Sequence, residues 1–392
     1  MRADVLPAVA LVIVWSVATT VGPFSDTTVN DLFVYRTYAD LLTGGALPYV
    51  DFGFEYPPLA ALPIGLGGVL GRDEATYAVV FAVLMAGCAL AGQQLAARLA
   101  GERRAGLEVA WLLALAPVLI GASVRTHFDA LPVAIALAGL LAFARDRPGA
   151  GFLLLAVGTM TKLFPALLAA VAVVWLLARG ERRTALRGAA TFAAVVVLVS
   201  LPFAGSGYAD SLRFHVDRRV QIESTPASVL FALGGSQVTG TNLRPDRFKS
   251  NGLDGGHAQL VETLFSAALV LALAGVLALA ARAPGVRHLV LTGFAALLAF
   301  VTLGKVFSPQ YVIWLAPFAA LAWVWRHRAV ALLTASGIAL THVEFPSRYF
   351  DLINQRGDAI LIVAARNAVL LAALVVLAAE LASRAVPASR HA

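Results

Sequence analysis

Charge is what this 392-residue sequence has least of. Only 14% of its residues are Asp, Glu, Lys or Arg, where a soluble chain carries about a quarter. Hydrophobic residues make up 59%, which excludes an ordinary soluble domain of this length. Apolar runs of about 20 residues recur throughout, so the fold class is an all-α polytopic membrane protein. Cysteine is nearly missing: Cys88 stands alone inside an apolar run, which excludes an internal disulfide. No P-loop, GxGxxG, HExxH, CxxC or GxSxG pattern occurs, so nucleotide hydrolysis and zinc chemistry have no support, and neither a metal nor a cofactor is expected. Soluble domains, internal repeats and coiled-coil heptads are equally absent. Leu6 to Val21 lacks a small-residue cleavage site and reads as a first span instead of a cleavable signal.

The hydrophobic runs place spans near 5–22, 75–98, 107–123, 128–144, 150–161, 163–178, 187–204, 259–281, 287–303, 310–325, 329–342 and 359–383. Residues 57–71 are apolar but short and broken by Pro63 and glycines, which predicts a re-entrant or interfacial segment. Pro165 joins the fifth and sixth spans into a broken hairpin. With the N-terminus inside, the cytoplasmic segments hold 16 basic and six acidic residues, as the positive-inside rule requires. The net charge of +7 therefore reflects membrane topology and gives no reason to expect nucleic acid. One membrane domain, residues 1–392, is expected, with 23–56 and 204–258 as its outer loops.

Most chemistry-bearing residues fall on the outer face. The stretch from Asn30 to Pro58 is dense in carboxylates and tyrosines, including Asp31, Asp51, Glu55 and Tyr56. Within it, Asp31 to Leu42 reads as an amphipathic helix with Leu32, Tyr35, Ala39 and Leu42 near one face, ended by Gly44 and Gly45. Further along come Arg125, His127 and Asp129; Lys162; the 204–258 loop with His215, Arg218 and Glu223; Lys305 to Tyr311, which includes Gln310; and His342 to Arg348. In the long loop, Tyr208 to Val220 reads as a helix, Ser228 to Leu233 as an apolar patch, and 235–258 as a flexible loop. Two of the three lysines, Lys162 and Lys305, stand at outer helix ends against the positive-inside bias, and ionisable groups at membrane boundaries mark functional sites. Snorkelling or helix-capping charges are the plain alternative for each residue taken singly. These clusters taken together on one face fit that alternative poorly.

Carboxylates bind or deprotonate sugar hydroxyls, aromatic rings stack on sugar faces, and Lys and Arg neutralise a phosphate leaving group. A cytosolic sugar nucleotide does not reach the outer face, whereas a phosphate-bearing donor carried on a lipid does. In order, Asp31, PYVDFGFEYPPL, TKLFP, FHVDRRVQIES and SPQYVIWLAP resemble the polyprenol-phosphate-mannose-dependent α-mannosyltransferases of the bacterial GT-C glycosyltransferase superfamily. The resemblance runs to about residue 318 and implies a GT-C fold of about 12 spans in the cytoplasmic membrane, with an extracytoplasmic site. It also implies a polyprenyl-phosphate-sugar donor, a glycolipid or glycan acceptor, and inversion at the anomeric carbon. Asp31 matches the position of the catalytic acid. The paired acids of some relatives are missing, since Asn30 and Leu32 flank Asp31, which leaves Asp51 and Glu55 as rivals for the base.

Candidate cations for the leaving phosphate are Lys162, Lys305, Arg125, Arg218 and Arg348. His127 and His215 are candidate hydrogen-bond partners, and Tyr56, Tyr311 and Trp314 candidate linings of a polyprenol groove. The competing class is a transporter or flippase of lipid-linked sugars, which would place ionisable residues near the midplane in paired halves. Apart from Arg366, the spans lack such residues, and no half-to-half symmetry shows.

Overall fold

The computed structural model describes residues 2–240 and 250–383. The chain is overwhelmingly helical. It begins with α1 (Arg2–Ala18), α2 (Leu32–Thr43), α3 (Ala61–Leu70), α4 (Glu74–Leu99), α5 (Arg103–Ile120) and the single turn α6 (Ser123–Thr126). Next come α7 (Ala130–Ala144), α8 (Pro148–Thr159), α9 (Pro165–Ala178), α10 (Arg182–Ser200), α11 (Ser206–Asp217) and α12 (Thr225–Leu233). The rest is α13 (Ala258–Ala280), α14 (Val286–Leu303), α15 (Val312–Val324), α16 (Arg328–Glu344), α17 (Tyr349–Ile353) and α18 (Gly357–Ser383).

Five of the described helices are long and apolar enough to cross a membrane: α4, α10 with the turn after it, α13, α14 and α18. The remaining apolar helices run 10–17 residues. Apolar side chains cover α10 and α13 almost all round, yet little of either helix is buried, so their faces are left for lipid. By contrast α14 is mostly enclosed, packing on α9, α13 and α18. The expected amphipathic helix is α2, with Tyr35 and Ala39 fully buried. It lies on α3, where a side chain at Gly68 would collide with Ala39 at 2.7 Å. Ten residues of α3 span only about 15 Å, half a bilayer core.

Two readings of the long loop need correction. The helix beginning near Tyr208 stops at Asp217, and Val220 belongs to a strand. The stretch 235–258 is not simply loop: β2 (Gln237–Gly240) and β3 (Asn251–Asp254) pair antiparallel, and β3 pairs in turn with β1 (Val220–Gln221). Strands of two to four residues are too short to show a period in the sequence. A satellite core of Val220, Ile222, Leu230, Leu253, Leu352 and Val363 holds this small sheet against α12, α17 and α18. From the other side α11 docks on the Tyr49 loop through Gly207, where any Cβ would overlap the Tyr49 carbonyl oxygen. The loop chain and the first outer helix are thereby brought to one place.

Candidate active site

Between these elements lies a cleft of about 380 Å³. Asp31, Glu55, Tyr56, His127, Lys162, His215, Arg218, Glu223, Gln310 and Tyr311 all line it, which brings together ten of the residues singled out in the sequence.

Asp31 is the N-cap of α2, yet its carboxylate makes no capping bond. That duty falls to Asn30, whose Oδ1 accepts from the Leu32 amide at 2.8 Å. The Asp31 carboxylate is left to side chains. Tyr35 donates its hydroxyl to Oδ2 at 3.2 Å, and His127 Nε2 approaches the same oxygen to 3.4 Å. His127 is 2% exposed, and its Nδ1 lies 2.9 Å from the Thr126 hydroxyl. Nδ1 also lies 3.3 Å from the Ser123 carbonyl, and the Thr126 hydroxyl donates to the Ala122 carbonyl at 3.2 Å.

Glu55 stands near Asp31, and burial, then the charge of Asp31, pushes its carboxyl up to about 7. Its carbonyl accepts from His215 Nε2 at 2.8 Å, and burial lowers the proton affinity of that imidazole below its ordinary value. A neutral His215 and a readily protonated Glu55 thus sit side by side.

Lys162 occupies the break between α8 and α9, where Pro165 starts the new helix. It donates to Asp129 Oδ2 at 2.7 Å, and the other oxygen of Asp129 accepts from Trp314 Nε1 at 2.6 Å. Asp129 has no exposed surface and does not line the cleft; it is the counter-ion beneath Lys162. The ammonium also lies 4.7 Å from the Phe128 ring centre and within 6.0 Å of those of Tyr56, Tyr311 and Trp314. Those three rings line the cleft and surround the Lys162 ammonium there. Arg218 donates to the Ser250 hydroxyl at 2.9 Å, and its buried Nε has no partner among the described residues.

The other candidates lie elsewhere. Arg125 donates to the Thr19 carbonyl at 2.7 Å and ties down the end of α1. Lys305 is paired with Glu262 at 2.6 Å and also donates to the Val216 carbonyl. Arg348 is paired with Asp351 and Asp358. Asp51 accepts from the Leu47 amide at 2.7 Å within a tight loop. In each case the partner is a backbone group or an acid that sequence spacing does not single out. Conversely the cleft contains Gln221, Asn251, Phe345 and Tyr349, none of them picked from the sequence for a site role. Asn251 lies in the stretch read as loop, and Tyr349 in a one-turn helix. Among the described residues no group of three His, Cys, Asp or Glu is placed to hold a metal ion.

Fold and cleft together define a polytopic α-helical membrane protein with a cleft of polar and aromatic residues built at its helix ends. The chain belongs to glycosyltransferase family 87, whose family model matches residues 54–309, about two thirds of the length, and it is accordingly a membrane glycosyltransferase. The match takes in Glu55, Lys162, Arg218 and Glu223 and begins downstream of Asp31. No curated protein matches the chain.

Proposed function

We propose that the protein transfers a sugar, mannose in α linkage, from a polyprenyl-phosphate-sugar to an extracytoplasmic glycolipid or glycan acceptor, with inversion. One observation carries this reading: two carboxyl groups, Asp31 and Glu55, share a single cleft with Lys162 and Arg218. An acid to receive a proton and cations to receive a phosphate are the two requirements of a displacement at an anomeric carbon.

In the proposed reaction Asp31 accepts the proton of an acceptor hydroxyl. The hydroxyl oxygen forms its bond to the anomeric carbon as the bond to the phosphate oxygen breaks, and the electron pair leaves with polyprenyl phosphate. Lys162 and Arg218 neutralise that charge, with Asp129 holding Lys162 in place. His127 and Tyr35 orient Asp31 through its Oδ2. Glu55, whose carboxyl burial pushes up to about 7, is in its protonated form a donor to the donor phosphate or a sugar hydroxyl. A lipid-linked donor supports an extracytoplasmic site in the bacterial cytoplasmic membrane, with residues 23–56 and 204–258 forming it and both termini in the cytoplasm.

The test is a transfer assay with purified protein in detergent, radiolabelled polyprenyl-phosphate-mannose and a lipid extract as acceptor source. Label moving into a new glycolipid, with release of polyprenyl phosphate, is the expected result. Transfer from arabinosyl or glucosyl donors but not from the mannosyl one would replace the sugar; no transfer from any of them would overturn the reading.

A further inference from the structure

Beside the cleft sits a buried ionic cluster that the proposed reaction does not use. Glu223, Glu344 and Arg366 come from the loop before α12, the end of α16 and the interior of α18, and each is at most 1% exposed. The charges of Glu223, Glu344 and Arg366 act on one another, and burial pushes both carboxyls above their ordinary range. Arg366 does not cap either acid directly. It donates Nη2 to the Glu223 carbonyl and Nε to Asn367 Oδ1 at 3.1 Å, while its plane lies 4.0 Å from the Phe307 ring centre. Asn367 donates to the same Glu223 carbonyl at 3.2 Å and to the Ser228 hydroxyl at 2.9 Å.

The cluster is incompletely satisfied. Glu223 Oε2 accepts from Gln221 Nε2 at 2.5 Å, but Glu223 Oε1, both oxygens of Glu344 and Arg366 Nη1 find no hydrogen-bond donor or acceptor among the described residues. An unpaired buried polar atom is costly, and several in one place call for a partner that the chain itself does not supply. Of the three charged residues only Glu223 lines the cleft.

What surrounds Glu223 there defines the ligand. Gln221, Asn251 and Tyr349 line the same wall, Asn251 Nδ2 donating to the Tyr349 hydroxyl at 2.9 Å, with the flat rings of Phe345 and Tyr349 alongside. Tyr349 lines the cleft together with Glu223 and Asp31. Arg366, the one guanidinium of this cluster, is held on the Glu223 carbonyl and does not itself line the cleft, so the wall suits an uncharged, hydroxyl-bearing ring better than a phosphate.

We propose that Glu223, with Tyr349 and Asn251 beside it, is the subsite that binds the hydroxyls of a pyranose ring, and that Glu344 and Arg366 are positioning residues that hold Glu223 toward it. The assignment rests on the transferase reading for its substrates, and the ring belongs either to the donor or to the acceptor. Glu223→Leu removes the carboxyl yet leaves Glu344 and Arg366 as a balanced pair, and Glu223→Gln restores an acceptor and a donor. The leucine variant is expected to raise the KM of one substrate about 10-fold or more while kcat falls less, and the glutamine variant to recover most of the loss. A rise confined to polyprenyl-phosphate-mannose assigns the subsite to the donor ring; a rise confined to the lipid acceptor assigns it to the acceptor. A fall in kcat with both KM values unchanged, or wild-type kinetics, would overturn the proposal. Should Glu223→Leu not fold, Tyr349→Phe is read the same way, with a smaller rise of about threefold. Saturation-transfer NMR with methyl α-mannoside on the purified full chain needs no turnover. Transfer to the ring protons in the wild type, lost in Glu223→Leu or Tyr349→Phe, supports the subsite even if no donor is consumed; no transfer to the wild type rejects it.

Discussion

At the scale of single residues the site is defined by which polar atoms are occupied and which are left over. Asp31 could serve as a helix cap by sequence, but Asn30 does so in its place, and the carboxylate turns to His127 and Tyr35. Asp31→Asn should therefore leave folding and donor binding intact, since no capping bond is lost, while kcat falls on the order of 100-fold or more. Steady-state kinetics beside a melting curve separates the two effects; near-normal turnover would move the base to Glu55. That residue carries its own signature. Its folded affinity for a proton, near pH 7, exceeds the ordinary 4.5, so the native state binds more protons than the unfolded one in between. Its contribution to stability is complete below about pH 4.5 and is lost as pH rises through 7. Glu55→Gln should reduce the fall in Tm between pH 5 and 7.5. Some slope should persist, because burial and then the charge of Glu344 hold Glu223 above its usual range too. An unchanged slope would mean that Glu55 is ionised throughout.

At the scale of elements, the breaks matter more than the helices. Lys162 reaches the cleft because α8 stops at Thr159 and α9 restarts at Pro165, and Asp129 meets it from the start of α7. Lys162→Met leaves Asp129 buried with only Trp314, which should cost about 3–5 kcal/mol. Adding Asp129→Leu removes the stranded charge, so melting should recover while donor KM stays high. A double variant that recovered both would reduce Lys162 to a structural ion pair.

The same scale shows what was legible. The edges of α2 and the α8–α9 break follow from Gly44 and Pro165, and the charged outer segments lead to the cleft because charge is scarce enough for each such residue to stand out. Lys305 and Arg348 stood out equally, yet Glu262 and Asp358 neutralise them. Polar residues of no distinctive pattern were missed: Asn251 belongs to a four-residue strand, and Tyr349 resembles any interfacial tyrosine.

At the scale of the whole molecule, the charge asymmetry gives the orientation expected for the chain. A cysteine introduced by Ser206→Cys in a Cys88→Ala background should react with an impermeant maleimide on intact cells. Labelling only after permeabilisation would invert the molecule and put the cleft on the cytoplasmic side.

The pairing of Lys162 with Asp129 bears on how such a site empties. A lone buried ammonium would grip the departing anion and, once vacated, demand a replacement ion from the medium. Here the neutralising partner is part of the wall, so no unpaired ammonium is left when the cleft empties. Loading and unloading then resemble the trading of one hydrogen-bonded neighbour for another. A long-tailed lipid product can slip away without leaving an orphaned charge behind, and the next donor meets a site already set.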